Sequence, residues 1–318
     1  MGTASPGTLI KQHFSEEDGI DRDFWTEKYL QGRPNLAEAT LQRIWKYHAD
    51  KGGCFGLCHE PGAGSGVHTR RIAEKFEKVV ASDLGAAHVA LGKERHADLP
   101  NVEFRIGNSE DPAGMGLQKA SVDLVLAINF IHFVDTDAIL RAVDYQLKPG
   151  GTFAVLAFCQ VLVLDQNARQ VWNQLWNAVC HNSALRQGHD SVYETLWYKK
   201  VVCGYDHLPL PESIFQPGAV RFRSGSKDDW PVAYLATNVS DPLESGCGKN
   251  DILITDVDTE DWKVQAGVSE LRRLLYSVIP FEESDEIAAL WKQLEDELQD
   301  RRVECLVPVT GILATKKR

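Results

Sequence analysis

The sequence predicts an α/β fold whose central sheet is doubly wound and mostly parallel. Between residues 55 and 158, short apolar runs alternate with amphipathic stretches of helical period. The apolar runs are nearly continuous, as expected for strands covered by helices on both faces. A glycine-rich turn follows the first run, and right-handed crossovers would place the strand ends, and hence a ligand, along one rim of the sheet.

Eight elements form this alternation. We predict, in chain order, strand, helix, strand, helix, strand, strand, helix and strand for "FGLCHE", "SGVHTRRIAEKF", "KVVASDL", "AAHVALGKERHA", "VEFRIG", "VDLVLAINFIHF", "DAILRAVDYQL" and "GTFAVLAF". Farther along, "VSELRRLLYSVI" and "DEIAALWKQLEDELQD" have the spacing of helices, and "DILITDV" is strand-like or buried. The final "VECLVPVTGILATKK" is apolar enough for one strand or a strand pair that returns to the sheet.

The length of 318 residues suits one large domain with an insertion, or two domains. We expect a flexible arm at 1–23, an N-terminal helical cap at 24–53, a cofactor-binding core at 54–159, a substrate-covering insertion at 160–250, and C-terminal helices with a final strand at 251–318. Aromatic residues are frequent after residue 160, and such residues are most often core, although one or two can line a substrate pocket. They are Trp172, Trp176, Tyr193, Trp197, Tyr198, Trp230 and Tyr234.

Charge and composition narrow the partners. The chain has 45 acidic and 34 basic residues and a net charge of -11, which disfavours binding to nucleic acid or anionic membranes. No segment approaches the ~18 uninterrupted apolar residues of a membrane helix, and the first residues lack the features of a signal peptide. We therefore expect a soluble, cytoplasmic protein with no nucleic-acid and no membrane partner. The sequence leaves the oligomeric state open.

The cysteines predict neither disulfides nor a metal. There are seven, an odd number, and none forms a C-x-x-C pair. Cys58 and His59 are the nearest approach to a ligand cluster. Because adjacent residues of a strand point to opposite faces, this pair is poorly placed to hold one metal ion. Packing in the core is the expected role of both.

The glycine-rich turn "EPGAGSG" indicates a nucleoside ligand. Glycines after a strand let a ligand approach the backbone, and the following helix offers free N–H groups. The spacing Gly62-x-Gly64-x-Gly66 has Val67 where the dinucleotide fingerprint has its third glycine, which weakens the case for NAD. Glu60 would repel a pyrophosphate and suits a cationic group, and Asp83 after the next strand can accept hydrogen bonds from a ribose. S-adenosylmethionine carries an amine and a nucleoside without phosphate and fits both acids.

With these motifs the sequence resembles the class I S-adenosylmethionine-dependent methyltransferases, which have a Rossmann-like sheet. "EPGAGSG", "VVASDL", "RIGNSEDP", "VDLVLAINFIHF" and "LKPGG" are similar to five motifs of that family, in the family's order. The resemblance implies that Asp83 binds the ribose, Leu84 packs on the adenine, and Asn108 and Ser109 contact the adenine edge. The full set of cofactor-binding residues that it implies is Tyr29, Arg33, Glu60, Gly62, Ala63, Gly64, Asp83, Leu84, Asn108, Ser109 and Asn129.

A narrower resemblance is to the trans-aconitate methyltransferase-like group, which includes many fungal small-molecule methyltransferases. Tyr29 with Arg33-Pro34 is similar to that group's segment ahead of the first motif, and His132-Phe133 stands where much of the group has His-Trp. By this resemblance Arg33 or Tyr29 reaches the methionine carboxylate of the cofactor. A helix-breaking Arg-Pro with a packed Tyr is the alternative.

His132 is the candidate catalytic residue. The pKa of an unperturbed histidine lies near neutrality, so His132 could take a proton from an incoming hydroxyl or thiol. The alternative is a structural residue at a strand end that caps the fold or touches the cofactor.

Three functions follow from these residues. The first is methyl transfer to an oxygen, nitrogen or sulfur atom of a small-molecule acceptor, such as a fungal secondary metabolite. The second is a cyclisation or rearrangement that uses the bound cofactor without transferring its methyl group. The third is a non-catalytic cofactor-binding module that presents its aromatic residues to a protein partner.

Overall fold

The computed structural model describes residues 29–158, 160–186, 196–224, 243–256, 260–278 and 281–318. The predicted arm at 1–23 lies outside these ranges, as do Tyr193, Trp230 and Tyr234. The helices are α1 (Leu30–Gly32), α2 (Glu38–Asp50), α3 (Thr69–Ala73), α4 (Ala86–Arg95), α5 (Thr136–Gln146), α6 (Gln166–Arg186), α7 (Leu196–Val202), α8 (Val268–Tyr276) and α9 (Asp285–Leu298). The strands are β1 (Leu57–Pro61), β2 (Lys78–Asp83), β3 (Val102–Ile106), β4 (Val122–Ile128), β5 (Leu147–Phe158), β6 (Leu162–Val163), β7 (Val220–Ser224), β8 (Ile252–Asp256), β9 (Lys263–Ala266), β10 (Val303–Leu306) and β11 (Val309–Thr315).

The main sheet has eight strands in the order β3-β2-β1-β4-β5-β11-β7-β8. Strands β1 to β5 are parallel to one another, and β11 runs antiparallel to both β5 and β7. The predicted α/β fold with a doubly wound, mostly parallel sheet is therefore confirmed. The strand order reverses between β1 and β4, and in such sheets a ligand binds beyond the carboxyl ends of the strands at this point.

The main core lies on both faces of this sheet. All seven residues of β4 are buried, and the middle of β5 is equally inaccessible to solvent. A buried polar network also crosses the core, because Nδ1 of His59 lies 2.6 Å from Oε1 of Gln146 and its Nε2 lies 2.8 Å from Oγ of Ser82. Both ring nitrogens of His59 are thus engaged by these side chains. Burial lowers the pKa of His59 to about 4, which keeps its imidazole neutral.

A second core lies between α6 and four C-terminal elements, namely β9, α8, α9 and β10. Strands β6, β10 and β9 form a separate three-stranded sheet, and α6 packs against α9. Trp172 of α6 and Trp291 of α9 are fully buried there, and the indole N–H of Trp172 donates to the carbonyl of Val161 at 2.8 Å. The aromatic residues of 160–186 are therefore chiefly core residues, as expected.

Two segments differ in detail from the sequence-based prediction. Only β11 of the final apolar segment returns to the main sheet, and β10 joins the small sheet instead. Pro308 lies between them and has no N–H to donate, which ends the first pairing before the second begins. Strand β7, from the segment expected to form an insertion, is also part of the main sheet.

Candidate functional site

The glycine turn follows β1 at the point where the strand order reverses. Gly62, Gly64 and Gly66 all have left-handed backbones, with φ of +65°, +56° and +77°. A Cβ on Gly62 would lie 2.1 Å from the ring of Phe130, whereas a Cβ on Gly64 would have no neighbour nearer than 3.7 Å. The turn therefore has glycine at Gly62 for close packing and at Gly64 for an open approach to the backbone.

Asp83 ties this turn to the end of β2. One carboxylate oxygen accepts the N–H of Gly64 and the other accepts the N–H of Gly85, both at 2.9 Å. The side chain remains 17% exposed. Because each carboxylate oxygen has two lone pairs, Asp83 can still accept hydrogen bonds from a ribose at this rim.

An apolar platform borders Asp83. Leu84 is 41% exposed, and Ile106, which pairs with Asp83 in the sheet register, is 57% exposed. The resemblance points to Leu84, whereas Ile106 was missed because it lies within an apolar strand pattern. Its position as the second residue of the motif "RIGNSEDP", two residues before Asn108, is the signal that could have identified it. Together the two side chains offer a surface on which a flat base can pack.

The loop after β3, where Asn108 and Ser109 were expected to reach the adenine edge, is held by hydrogen bonds. The side-chain oxygen of Asn108 accepts the backbone N–H of Glu110 at 3.1 Å, and Ser109 is buried. The carboxylate of Glu110 in turn accepts the N–H of Asp135 at 3.0 Å. The loop is therefore fixed to the start of α5 beside the apolar platform.

Glu60 is a buried carboxyl beneath the glycine turn. It is 2% exposed, and the hydroxyl of Thr69 in α3 donates to it at 2.5 Å. Burial raises the pKa of Glu60 to about 7, against the lowering effect of Thr69. A cation bound nearby would favour its ionised form, in line with the expected role toward an ammonium group.

Arg33 lies close enough to the site for its charge to act on two of its histidines. Its guanidinium lies over the ring of Tyr29, 4.6 Å from the ring centroid; burial lowers the pKa of both His68 and His132, and the charge of Arg33 adds to this effect. Gly32 allows this placement, because a Cβ there would lie 1.9 Å from the backbone oxygen of Arg273 in α8. The structure thus brings Tyr29 and Arg33 to the same rim as the glycine turn.

Asn129 has a structural task that the sequence did not reveal. Its backbone is left-handed, with φ of +50°, a conformation that asparagine tolerates better than most residues. Its side-chain oxygen accepts the N–H of Phe158 at 2.9 Å, and its own N–H donates to Leu156 at 2.8 Å. The predicted cofactor-binding residue therefore joins the carboxyl ends of β4 and β5.

His132 lies in a short 3₁₀ turn, Ile131–Phe133, just beyond β4, and lines a cavity of about 340 Å³. The cavity is also lined by Phe133, Val134, Asp135, Thr136, Asp137, Leu196, Lys200, His207, Leu243 and Glu244. Burial, with the charges of Arg33, Lys200 and His207, lowers the pKa of His132 to about 3. The near-neutral pKa assumed from the sequence is therefore wrong for this site, and His132 is a neutral imidazole of low basicity at pH 7.

The second wall of the cavity was missed by sequence reasoning. The Nζ of Lys200 donates to the carbonyl of Val134 at 2.6 Å, and burial lowers its pKa. Tyr205 does not line the cavity itself, but its hydroxyl lies 2.7 Å from Nδ1 of His132. These residues come from the segment without a detectable repeat, so no spacing connected them to His132.

Metal-binding clusters and membrane-spanning helices are both absent from the described ranges. Among those residues no group of three or more His, Cys, Asp or Glu side chains is placed to hold a metal ion. Within the same residues, no helix has both the length and the apolar character needed to cross a membrane.

Comparison with known proteins gives consistent matches. Residues 59–155 match the family described as "Methyltransferase domain". A protein named "Methyltransferase" from Claviceps purpurea is 31% identical over 301 residues, which cover 93% of this chain and 92% of that protein. "Methyltransferase AacuQ" from Aspergillus aculeatus is 30% identical over 92% of this chain and 93% of its own length. Among solved structures, Haemonchus contortus phosphoethanolamine N-methyltransferase 2 in complex with S-adenosyl-L-methionine is 12% identical, with a TM-score of 0.47 over 100% of this chain and 61% of that one.

Proposed function

Because the chain belongs to the class I S-adenosylmethionine-dependent methyltransferases, we propose that it methylates an oxygen, nitrogen or sulfur atom of a small molecule held in the cavity beside His132. One observation carries the proposal. The ring of Phe130 packs against Gly62 of the glycine turn, and His132, two residues later, lines the cavity. The glycine turn, which follows β1, and the cavity, which lies beyond β4, are therefore neighbours, because β1 and β4 pair in the sheet.

The residues of the rim fit the cofactor, S-adenosylmethionine. In this proposal Asp83 accepts hydrogen bonds from the ribose, Leu84 and Ile106 pack on the adenine, and Asn108 and Ser109 lie at its edge. Glu60 stabilises the ammonium group, and Arg33, whose Nε has no hydrogen-bond partner among the described residues, binds the carboxylate. Gly62, Ala63 and Gly64 provide the backbone against which the cofactor lies. Asn129 joins the ends of β4 and β5 beside it, and Tyr29 packs under the guanidinium of Arg33.

The protein's contribution to the reaction is chiefly positioning. The cofactor supplies a methyl group on a positively charged sulfur, which is already electrophilic. The chain has to hold the acceptor atom in line with that group and exclude water, and such positioning is worth roughly 7–11 kcal/mol. Phe133, Leu196 and Leu243 give the cavity apolar walls beside its charged ones. These apolar walls, together with the fungal origin of the similar methyltransferases, support the proposal that the acceptor is a secondary metabolite.

The test is an acceptor screen with S-adenosylmethionine that carries a deuterated methyl group. Phenols, carboxylic acids, amines and thiols are incubated with the protein, and mass spectrometry follows both labelled product and S-adenosylhomocysteine. We expect labelled product together with S-adenosylhomocysteine for one acceptor class. A product isomeric with its substrate, formed without S-adenosylhomocysteine, would contradict methyl transfer and favour the rearrangement reaction.

A further inference from the structure

The turn at residues 204–208, which follows α7, is fixed to the main sheet from behind. Buried Arg221 of β7 donates to the carbonyl of Leu208 at 2.8 Å and to that of Tyr205 at 3.4 Å. The hydroxyl of Thr310 in β11 donates to the carbonyl of Gly204 at 3.0 Å. Arg221 is itself held by Asp251 at 2.7 Å. The 204–208 turn therefore has a defined position relative to the strand ends.

Tyr205 has an unfavourable backbone at the centre of this turn. Its φ is +64° and that of Gly204 is +61°. A left-handed conformation costs a residue other than glycine roughly 1–2 kcal/mol, so the surrounding contacts have to offset that cost. The result is a fully buried tyrosine whose ring is nearly parallel to that of His132, with 17° between the planes.

The tyrosine reaches one specific nitrogen of His132. Its hydroxyl lies 2.7 Å from Nδ1, so the other ring nitrogen, Nε2, points away from Tyr205. Phe133 and Trp197 surround the same imidazole, with ring centroids at 3.9 and 6.4 Å. The imidazole is thus held in one orientation at the edge of the cavity.

We propose that Tyr205 is a positioning residue whose phenolic O–H donates to Nδ1 of His132, which leaves the imidazole proton on Nε2 as a hydrogen-bond donor toward the acceptor molecule. This inference rests on the proposed function. A phenol is a stronger donor than a neutral imidazole N–H, and an imidazole nitrogen is a good acceptor, so this direction is the favourable one. The hydrogen bond at one ring nitrogen then sets which nitrogen carries the proton.

The charges around His132 agree with a neutral ring. Burial and the cationic groups Arg33, ahead of α2, and Lys200 of α7 lower the pKa of His132 to about 3, so one ring nitrogen carries a proton and the other does not. His207 of the 204–208 turn adds to this lowering when protonated, but burial lowers its own pKa to about 4, so it is neutral at pH 7. His132 then orients the acceptor through Nε2–H and does not remove its proton.

The tautomer is tested on the resting protein by ¹⁵N-detected NMR of its histidine side chains, with His132→Gln to assign the signals. We expect Nε2 of His132 to carry the proton, and Tyr205→Phe to shift the Nδ1 signal. Tyr47→Phe is the matched control, because Tyr47 shares a hydrogen bond with Thr315 at the opposite rim of the sheet, at 3.1 Å. A proton on Nδ1 in the unsubstituted protein overturns the proposal. This measurement needs no acceptor. Failure of the acceptor screen would therefore overturn the proposed function and leave the NMR result on the tautomer of His132 unchanged.

The role of Nε2–H is tested by kinetics with the acceptor found in the screen. The amide N–H of glutamine can replace an Nε2–H donor but cannot act as a base. We therefore expect His132→Gln to keep kcat within about tenfold of the original and His132→Ala to lose about a hundredfold, the typical effect of one lost donor. Tyr205→Phe is expected to lower kcat about tenfold without changing KM for S-adenosylmethionine. Equal losses in the Gln and Ala variants would overturn the donor role.

Discussion

At the scale of single residues, burial determines the properties that matter at this site. Glu60 and His132 are both buried, and burial shifts their pKa values in opposite directions because it disfavours the charged form of each. The sequence placed both residues at the rim through their motifs. It could not give their pKa values, since these depend on burial and on contacts with Thr69, Arg33 and Lys200 that form only in the folded chain.

Glu60 makes the stability of the fold depend on pH. Its pKa in the folded protein, about 7, lies above the ordinary value of 4.5. The stability that this group contributes is therefore complete below its unfolded pKa and is lost as pH rises through about 7. We compare the unfolding free energy of Glu60→Gln with that of the original protein. Between about pH 4 and pH 8, we expect this difference to rise by roughly 3 kcal/mol in favour of Glu60→Gln.

Urea unfolding at the two pH values measures this difference. The control is Glu77→Gln, which changes an exposed glutamate on the surface near the same strand. We expect the control to show no such pH-dependent gain. If Glu60→Gln and the original protein kept a constant difference in unfolding free energy, the pKa of Glu60 would not be raised.

At the scale of elements, two glycines of the same turn have different roles: Gly62 allows close packing, and Gly64 leaves the backbone open to a ligand. Gly62→Ala would drive a Cβ into Phe130, whereas the Cβ of Gly64→Ala would make only an ordinary contact with His88, at 3.7 Å. We expect Gly62→Ala to lower the unfolding free energy by more than about 2 kcal/mol, from the left-handed backbone plus overpacking. Gly64→Ala should cost only about 1 kcal/mol in stability, from its backbone alone.

The same two variants should also differ in a second quantity, their affinity for S-adenosylmethionine. We expect Gly64→Ala to weaken binding at least tenfold, on the order of 1.4 kcal/mol, because we propose that the cofactor lies against the backbone at Gly64. Urea unfolding and calorimetric titration give the two quantities. Unchanged affinity in a folded Gly64→Ala protein would place the cofactor elsewhere.

The elements from β1 to β5 were predictable because their apolar runs are bounded by turn residues and separated by helical spacing. The helix expected across "SGVHTRRIAEKF" is shorter, Thr69–Ala73, because the residues ahead of it continue the glycine turn. The 204–208 turn carried no comparable pattern. Its place beside His132 depends on long-range hydrogen bonds from Arg221 and Thr310.

At the scale of the whole molecule, helix α8 near the C-terminus supports the segment that carries Arg33 of the candidate site. Gly32 lies directly against the backbone of Arg273 in α8, and the next residue, Arg33, reaches toward His68 and His132. Helix α8 belongs to the second core, which the sequence predicted as helices without showing what they pack on. The C-terminal segment therefore fixes an N-terminal residue of the candidate site.

This contact predicts an effect over a long distance in the chain. Gly32→Ala would place a Cβ 1.9 Å from the carbonyl oxygen of Arg273 and force the α1 segment away from α8. We expect affinity for S-adenosylmethionine to fall at least about fivefold, as Arg33 is displaced from the rim. The matched control is Gln31→Ala, which changes an exposed residue of the same short helix. Equal affinities of both variants would exclude a role for this contact.

The central claim is that Asp83 and the glycine turn form the S-adenosylmethionine site. Its most direct test is calorimetric titration of the protein and of Asp83→Asn with S-adenosylmethionine and, separately, with NADH. Asp98→Asn, which changes an exposed aspartate paired with Arg70, is the control. We predict binding of S-adenosylmethionine alone, weakened at least about tenfold by Asp83→Asn and unchanged in the control. Binding of NADH alone, or equal affinity in a folded Asp83→Asn protein, would contradict the account.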